Sequence, residues 1–355
     1  MLQEQLNPKK LHHEMEAERK KGFDVTLSAH LASRYPGITI EKLYNDLSIN
    51  PLETTVANIL DRPEESNRWL VPEIFRDAIR LGFINSPIHK DFIIREEAAP
   101  QPTQIMPYWD MTLLPNNPQV VGAAESLPMG QIKFGQKTVR INKSGIGIEI
   151  TDEAIQYTNI SLLSIFLADM GVKLGSTLSQ QAVNVLINGE QADGSAAAGV
   201  VGTGTQGSIA FADMVRAFTR GSLRNRKWFR CIGNEDMINT LMNTPAFMER
   251  QINPWGRPQL TLNTKTKTTY EIDVYTHNSV PEGELIMTDP DVTMVQLTAQ
   301  PLRVESERII QRQISGTYAT ITTGFAIVFQ DGRIVLTTNS NFASTPWPAF
   351  LQPLF

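Results

Sequence analysis

What the chain lacks narrows its chemistry first. One cysteine in 355 residues, Cys231, leaves no intramolecular disulfide and no thiolate cluster for a zinc knuckle, which fits a reducing compartment. The five histidines offer no general-base constellation: His12 and His13 are adjacent, and His30, His89 and His277 are isolated in sequence. Charged residues reach only 19%, against a usual ~25%, as expected of a chain whose neighbours cover part of its surface. Basic residues do not prevail either; 32 against 37 acidic residues give a net charge of −5, which argues against a dedicated nucleic-acid binder with a concentrated basic face. No uninterrupted apolar run approaches the ~20 residues that span a bilayer, and the opening MLQEQLNPKKLHHEMEAERKK has no apolar core. The sequence therefore reads as soluble, not exported and without a membrane partner. With 41% apolar residues it is not disordered throughout, and its length suffices for two or three packed units at ~100 to 200 residues each.

The chain then changes character several times. Residues 7–36 are rich in charge of both signs and read as a solvated helix or arm. Between residues 41 and 83, short helical stretches are separated by Pro51, Pro63 and Pro72, because proline suits helix starts and not interiors. Five prolines between Pro100 and Pro118 favour extended chain. QIKFGQKTVRINKSGIGIEI alternates apolar residues at Val139 and Ile141 and again at Ile146, Ile148 and Ile150, the period of a strand. TDEA opens a helical stretch with Thr151 or Asp152 as cap.

The strongest periodic signal follows. Leu163, Leu167, Met170, Leu174, Leu178, Ala182 and Val185 form one stripe at a period near 3.6, predicting a long helix whose stripe runs roughly 33 Å and which ends at Asn188-Gly189. GEQADGSAAAGVVGTGTQG reads as a flexible connection. From residue 208 to 302 helical and strand-like segments alternate, suggesting an α/β domain. Residues 302–338 read as strands, with Asp331-Gly332 a hairpin turn between FAIVF and RIVL. The tail NFASTPWPAFLQPLF is apolar and broken by prolines, so it needs something to lie against.

Several features invite a sharper reading than they support. Gly202, Gly204 and Gly207 match G-x-G-x-x-G, a pattern that cradles a pyrophosphate when it joins a strand to a helix. No clear strand precedes it in the sequence, so we expect a hinge there; a nucleotide-binding enzyme using this loop is an alternative. His12-His13 with Glu14 and Glu16 lacks metal-ligand spacing, and Cys231 lies in an apolar run that reads as core. The TKTKTT run at residues 264–269, near Trp255 and Arg257, reads as an exposed loop contacting a neighbouring subunit. No residue pattern demands catalysis, a metal or a cofactor.

The stretch IKFGQKTVRINKSGIGIEITDEAI, followed by SLLSIFLADMGVKLGSTLSQQAVNVLINGEQADG, resembles the major capsid proteins of tailed bacteriophages, whose α+β fold is named after phage Hong Kong ninety-seven. WFRCIGNEDMINTLMN, YEIDVYTHNSVPEGELIMTDPD and RVESERIIQRQISGTYATITTGFAIVFQDGRIVL resemble later parts of that fold in the same order, so the likeness covers residues 100–340. The resemblance implies an N-terminal arm (1–103), an E-loop hairpin (104–142), a P-domain with a long spine helix (143–207 and 303–340), an A-domain (208–302) and a C-terminal tail (341–355). It implies a virion shell protein, assembled in the host cytoplasm, that forms pentamers and hexamers around double-stranded DNA with portal and scaffold or decoration proteins as partners. Trp109, Met129, Lys133, Lys137, Arg140, Trp255, Arg257, Trp347 and Phe350 become subunit-interface candidates. Leu163, Leu167, Met170, Leu174, Leu178 and Val185 become the spine-helix core, and Gly202, Gly204 and Gly207 the hinge. Some relatives crosslink an E-loop lysine to an asparagine of another subunit; Lys133 and Lys137 lie in the hairpin, but no local motif marks a partner or an activating acid. An encapsulin-like cellular compartment is the alternative within the same fold.

Overall fold

A computed structural model describes residues 8–20, 26–36, 38–46, 49–51, 53–56, 59, 70–110, 131–190, 197–243, 266–267 and 272–348. In chain order, helices α1 Pro8–Lys20, α2 Leu27–Arg34, α3 Ile40–Asp46 and α4 Leu70–Asn85 precede strands β1 Ile93–Ala98, β2 Thr103–Asp110, β3 Gln131–Arg140 and β4 Asn142–Thr151. Helices α5 Asp152–Tyr157 and α6 Ile160–Asn188 follow, then β5 Gly199–Thr203, α7 Phe211–Ser222, β6 Arg230–Gly233 and α8 Glu235–Met242. The chain closes with β7 Thr266–Lys267, β8 Asp273–Thr276, β9 Glu284–Thr288, β10 Met294–Ile309, β11 Ile314–Ile327 and β12 Arg333–Asn341. They fall into two compact units, residues 1–87, 143–178 and 300–322 in the first and residues 88–142, 179–299 and 323–355 in the second.

The first unit is organised around one face of α6. Leu163, Leu167, Met170, Leu174 and Leu178 are all buried, in one cluster with Ile74, Ile79 and Phe83 of α4, Leu27 and Leu31 of α2, and Ala319 and Ile321 of β11. Glycine is what lets α4 and α6 approach so closely. A Cβ on Gly82 would lie 1.9 Å from the Ala168 carbonyl oxygen, and one on Gly171 would lie 2.0 Å from that of Ile79. The ~1 kcal/mol that each glycine costs a helix relative to alanine therefore gives direct backbone packing in return. Thr151 caps α5, its hydroxyl accepting the Ala154 N–H at 3.3 Å, and Thr26 caps α2 in the same manner.

By length and composition α6 could cross a membrane, but its apolar stripe is buried in protein from Leu163 to Ala182. The helix stops where Gly189 adopts φ +74°, a left-handed geometry that costs glycine little.

The second unit centres on a six-stranded sheet in the order β5-β12-β9-β6-β8-β7. β12 runs parallel to β5 and antiparallel to β9; β6 runs antiparallel to β9 and parallel to β8. Trp228, Met214, Ala217, Leu241, Leu285 and Ile334 fill one face, and Ile232, Ile286, Val335 and Leu186 belong to a second cluster. Two sequence expectations fail here. Asp331-Gly332 does not close a hairpin, because β11 belongs to the β1-β10-β11-β4 order while β12 joins the six-stranded sheet. The pair instead sits in a short 3-10 turn pinned from both sides: Arg226 donates to Asp331 through Nε and Nη2, both at 3.0 Å, and Trp228 Nε1 donates to the Asp331 carbonyl at 3.2 Å. The supposed flexible connection contains β5, a strand read as loop because its small residues, GVVGT, give no alternation. The sheet also takes β5 and β12 from outside residues 208–302.

A separate two-stranded sheet pairs β2 antiparallel with β3, from Thr103 opposite Arg140 to Asp110 opposite Gln131. Its register slips between Ile105 and Pro107, where proline has no N–H to give a ladder.

Candidate assembly surfaces

Trp109, Lys133 and Lys137 lie on the β2–β3 hairpin, with Trp109 opposite Ile132 and Lys133 opposite Tyr108. Lys137 falls in the irregular stretch opposite Met106. Arg140 is exposed at the root of the hairpin, where a cleft of about 360 Å³ is lined by Asn142, Gln181, Asn184, Asn188 and Thr323. Met129, Trp255, Arg257 and Phe350 lie outside the described residues.

The buried stripe of α6 contains five of the six predicted core positions. Val185, the sixth, is only partly buried; beyond Ala182 the burial passes to Val183 and Leu186 as the helix meets a different cluster. The opposite face of the same helix leaves Leu162, Ile165 and Phe166 exposed, with Leu81 and Ile84 exposed on α4.

The glycine loop is built differently from either sequence reading. A strand does precede it and a helix does follow it, yet the anion position at the start of α7 is taken by the chain's own carboxylate. Asp213, 4% exposed, accepts the Gly204 N–H at 2.8 Å and the Ala210 N–H at 3.0 Å, and Arg216 donates to it at 3.2 Å. Gly202 pairs with Thr337 inside the sheet, and a Cβ there would lie 2.3 Å from the Asn341 carbonyl oxygen, so its smallness serves the closeness of β12. Gly207 takes φ +83° and donates to the Thr338 carbonyl. This is a filled loop, unsuited to a pyrophosphate.

The tail finds the support it needs within the chain. Residues 341–348 have an intramolecular support: Trp347 stacks on Trp228 with ring centroids 6.5 Å apart, meets Phe342 edge-on at 6.3 Å, and carries Arg220 over its ring at 5.3 Å. The Phe342 N–H donates to the Thr203 carbonyl and the Gly202 N–H to that of Thr345.

Two histidines acquire partners that their sequence neighbourhoods do not announce. His30 is fully buried, with Nδ1 3.1 Å from Glu18 and Nε2 3.5 Å from Glu14, so two carboxylates one turn apart on α1 grip α2. Burial opposes ionisation of Glu18, but the hydrogen bonds from His30 and Arg34 prevail and hold its carboxyl below the ordinary range. The i, i+4 glutamates were the only sequence signal. His89 lies 3.3 Å from Ser179 with its ring edge-on to Phe325. Both members of that pair are buried, and burial, reinforced by Lys90, lowers His89 to about 4. Neither can meet a substrate. Cys231 is also buried, which pushes its thiol up and away from nucleophilic use. Among the described residues no group of His, Cys, Asp and Glu could hold a metal ion.

Comparison with known proteins gives the class of this α+β chain with its long helix and two-stranded hairpin. The phage capsid protein family matches residues 135–336, more than half of the chain; the protein belongs to that family. A chain from Microbacterium phage Oxtober96 superposes with a TM-score of 0.51 at 13% identity, covering 71% of this chain and 91% of the other, which shows the shared fold. Chains from the capsid structure of the cyanophage P-SCSP1u (TM-score 0.49, 12% identity, 71% and 88% covered) and from a virus-like particle of Pyrococcus furiosus (0.49, 12%, 74% and 98%) are also similar. No curated protein matches. The fold is the Hong Kong ninety-seven-like capsid fold, and the protein is a structural major capsid protein.

Proposed function

We propose that copies of this chain associate as pentamers and hexamers and close an icosahedral shell around the double-stranded DNA of a tailed phage, with no catalytic step of their own. The observation that carries the reading is the β2–β3 hairpin in a chain of the capsid family. Two strands alone are marginal in water, and among the described residues no third strand joins them. In this reading residues 104–142 are the E-loop lying on a neighbouring subunit, residues 143–207 and 303–340 the P-domain apart from β5 and β12, and residues 208–302, whose sheet those two strands join, the A-domain around the capsomer axes. Of residues 1–103, the predicted N-terminal arm, helices α2 and α4 lie in the core of the first unit and β1 pairs with β10, so this region is part of the packed subunit; portal and scaffold or decoration proteins complete the particle in the host cytoplasm. The net charge of −5 suits a wall that must not trap packaged DNA by counterion release.

Deleting residues 121–129, in the chain between β2 and β3, tests the reading. Shells should vanish while circular dichroism and melting of the remainder stay close to those of the parent chain. Normal shells from the deletion would remove the role given to the hairpin. Protein cargo without nucleic acid inside native particles would move the assignment to a cellular compartment.

A further inference from the structure

The cleft at the root of the hairpin gathers polar side chains that the second unit does not itself use. Its wall belongs to that unit alone: Arg140 ends β3, Asn142 opens β4, Asn184 and Asn188 stand one turn apart on α6, and Thr323 lies in β11. Arg140 and the three asparagines are exposed. Among the described residues Arg140 has no carboxylate at ion-pair distance, and the three asparagine side chains make no hydrogen bond. Thr323 is 0% exposed, and its hydroxyl has no hydrogen-bond partner among the described residues. A buried hydroxyl without a partner costs the subunit stability, which a ligand entering the cleft restores. The carboxylate in the wall, Glu190, is engaged elsewhere: it accepts the Ile327 N–H and supports the charge of the buried Arg333.

These groups define the chemistry of what fits. A carboxamide presents a donor and an acceptor together, the complement of a main-chain amide, and being neutral it gives up water at less cost than a charge. The Arg140 guanidinium can take a carboxylate through two parallel N–H bonds, and the Thr323 hydroxyl can donate to a carbonyl. A phosphodiester chain offers acceptors alone, so it would leave the amide oxygens unanswered, and one cation is little hold on a polyanion. The volume of about 360 Å³ suits a short stretch of extended chain and not a folded domain.

We infer that this cleft receives an extended, acid-bearing segment of a second copy of the chain, with an Asp or Glu side chain on Arg140 and main-chain amides on Asn142, Asn184 and Asn188. The source follows from charge and from the company the chain keeps. Each copy carries 37 acidic against 32 basic residues, so neighbouring copies bring carboxylates in excess. The inference rests on the capsid reading and adds to it a place where one subunit holds the next.

Three variants of the full-length chain test it. Arg140→Glu should lower the assembled fraction at least about tenfold, because it sets like charges face to face, with circular dichroism confirming the fold. Thr323→Val separates this role from a merely structural one. The unassembled subunit should melt at the same or a higher temperature, since an unpartnered hydroxyl is removed, while the assembled fraction falls about threefold. In the third variant p-benzoylphenylalanine replaces the exposed Asn184, and light should link it, within assembled particles, to a peptide of a second copy that contains Asp or Glu. Parent-like assembly of Arg140→Glu, a lower melting temperature for Thr323→Val, or links only within one chain or to nucleic acid would overturn the inference. A parent chain that never assembles would instead overturn the capsid reading beneath it.

Discussion

The two units are stabilised in different ways. In the first, helices meet backbone to backbone: α4 and α6 touch through Gly82 and Gly171, and the leucine stripe of α6 is buried against α2, α4 and β11. In the second, a sheet is framed by polar devices. Asp331 is gripped by Arg226, Asp213 fills the start of α7, and the fully buried Arg333 is lowered to about 10 by burial while the nearby Glu190 partly restores it. Close helix packing is intolerant of volume. The sheet unit has room at its loops but depends on each buried polar group keeping its partner.

The comparison breaks most sharply at Leu174, which is 2% exposed in the first unit. Leu174→Asp buries a lone carboxylate and should cost about 4 kcal/mol or more, read as loss of soluble folded protein or a collapse of the urea midpoint. Next come paired glycine substitutions. Gly171→Ala drives a methyl group into the Ile79 carbonyl and should cost about 2 to 3 kcal/mol. Gly204→Ala meets only the Asp213 carboxylate at 3.2 Å and should cost under ~1 kcal/mol, with no nucleotide affinity gained or lost in calorimetry. Equal costs at the two sites would erase the distinction. Trp347→Ala removes a half-buried ring from Trp228 and Arg220 and should cost about 1 to 2 kcal/mol, visible as a fall in the midpoint of denaturation.

Acid should act with opposite sign on two groups that burial shifts, His89 in the second unit and Asp77 in the first. His89 has a folded value of about 4, below its ordinary 6.5, so the unfolded chain binds the extra proton and stability falls as pH drops from about 6.5 to 4. Burial is the main cause at Asp77, which is raised from 3.8 to about 6, with Glu73 adding to the rise and Ser28 opposing it. Here the folded state binds the proton, so this contribution is present at acid pH and is lost as pH rises from about 4 to 6. His89→Gln should flatten the first slope and Asp77→Asn the second, the latter adding under ~1 kcal/mol at neutral pH. Both are read from melting temperature against pH.

How much of this could be read from sequence follows from the range of each signal. The α6 stripe was legible because helical period is a local property, and so were Thr151 as a cap and Gly189 as a stop. Val185 was misplaced because the helix exchanges one packing partner for another near Ala182, a long-range fact. Asp331-Gly332 carries the residues of a hairpin, yet its outcome was set by Arg226 and Trp228, more than a hundred residues away. The tail was rightly read as needing support, but nothing near it in sequence could name Trp228.

The most direct test of the account is the mass and shape of the purified full-length protein, followed by light scattering and electron microscopy through a range of assembly conditions. The capsid account predicts closed shells built of five- and six-membered rings. A chain that stays monomeric under every condition, co-expression with neighbouring phage structural proteins included, would contradict it.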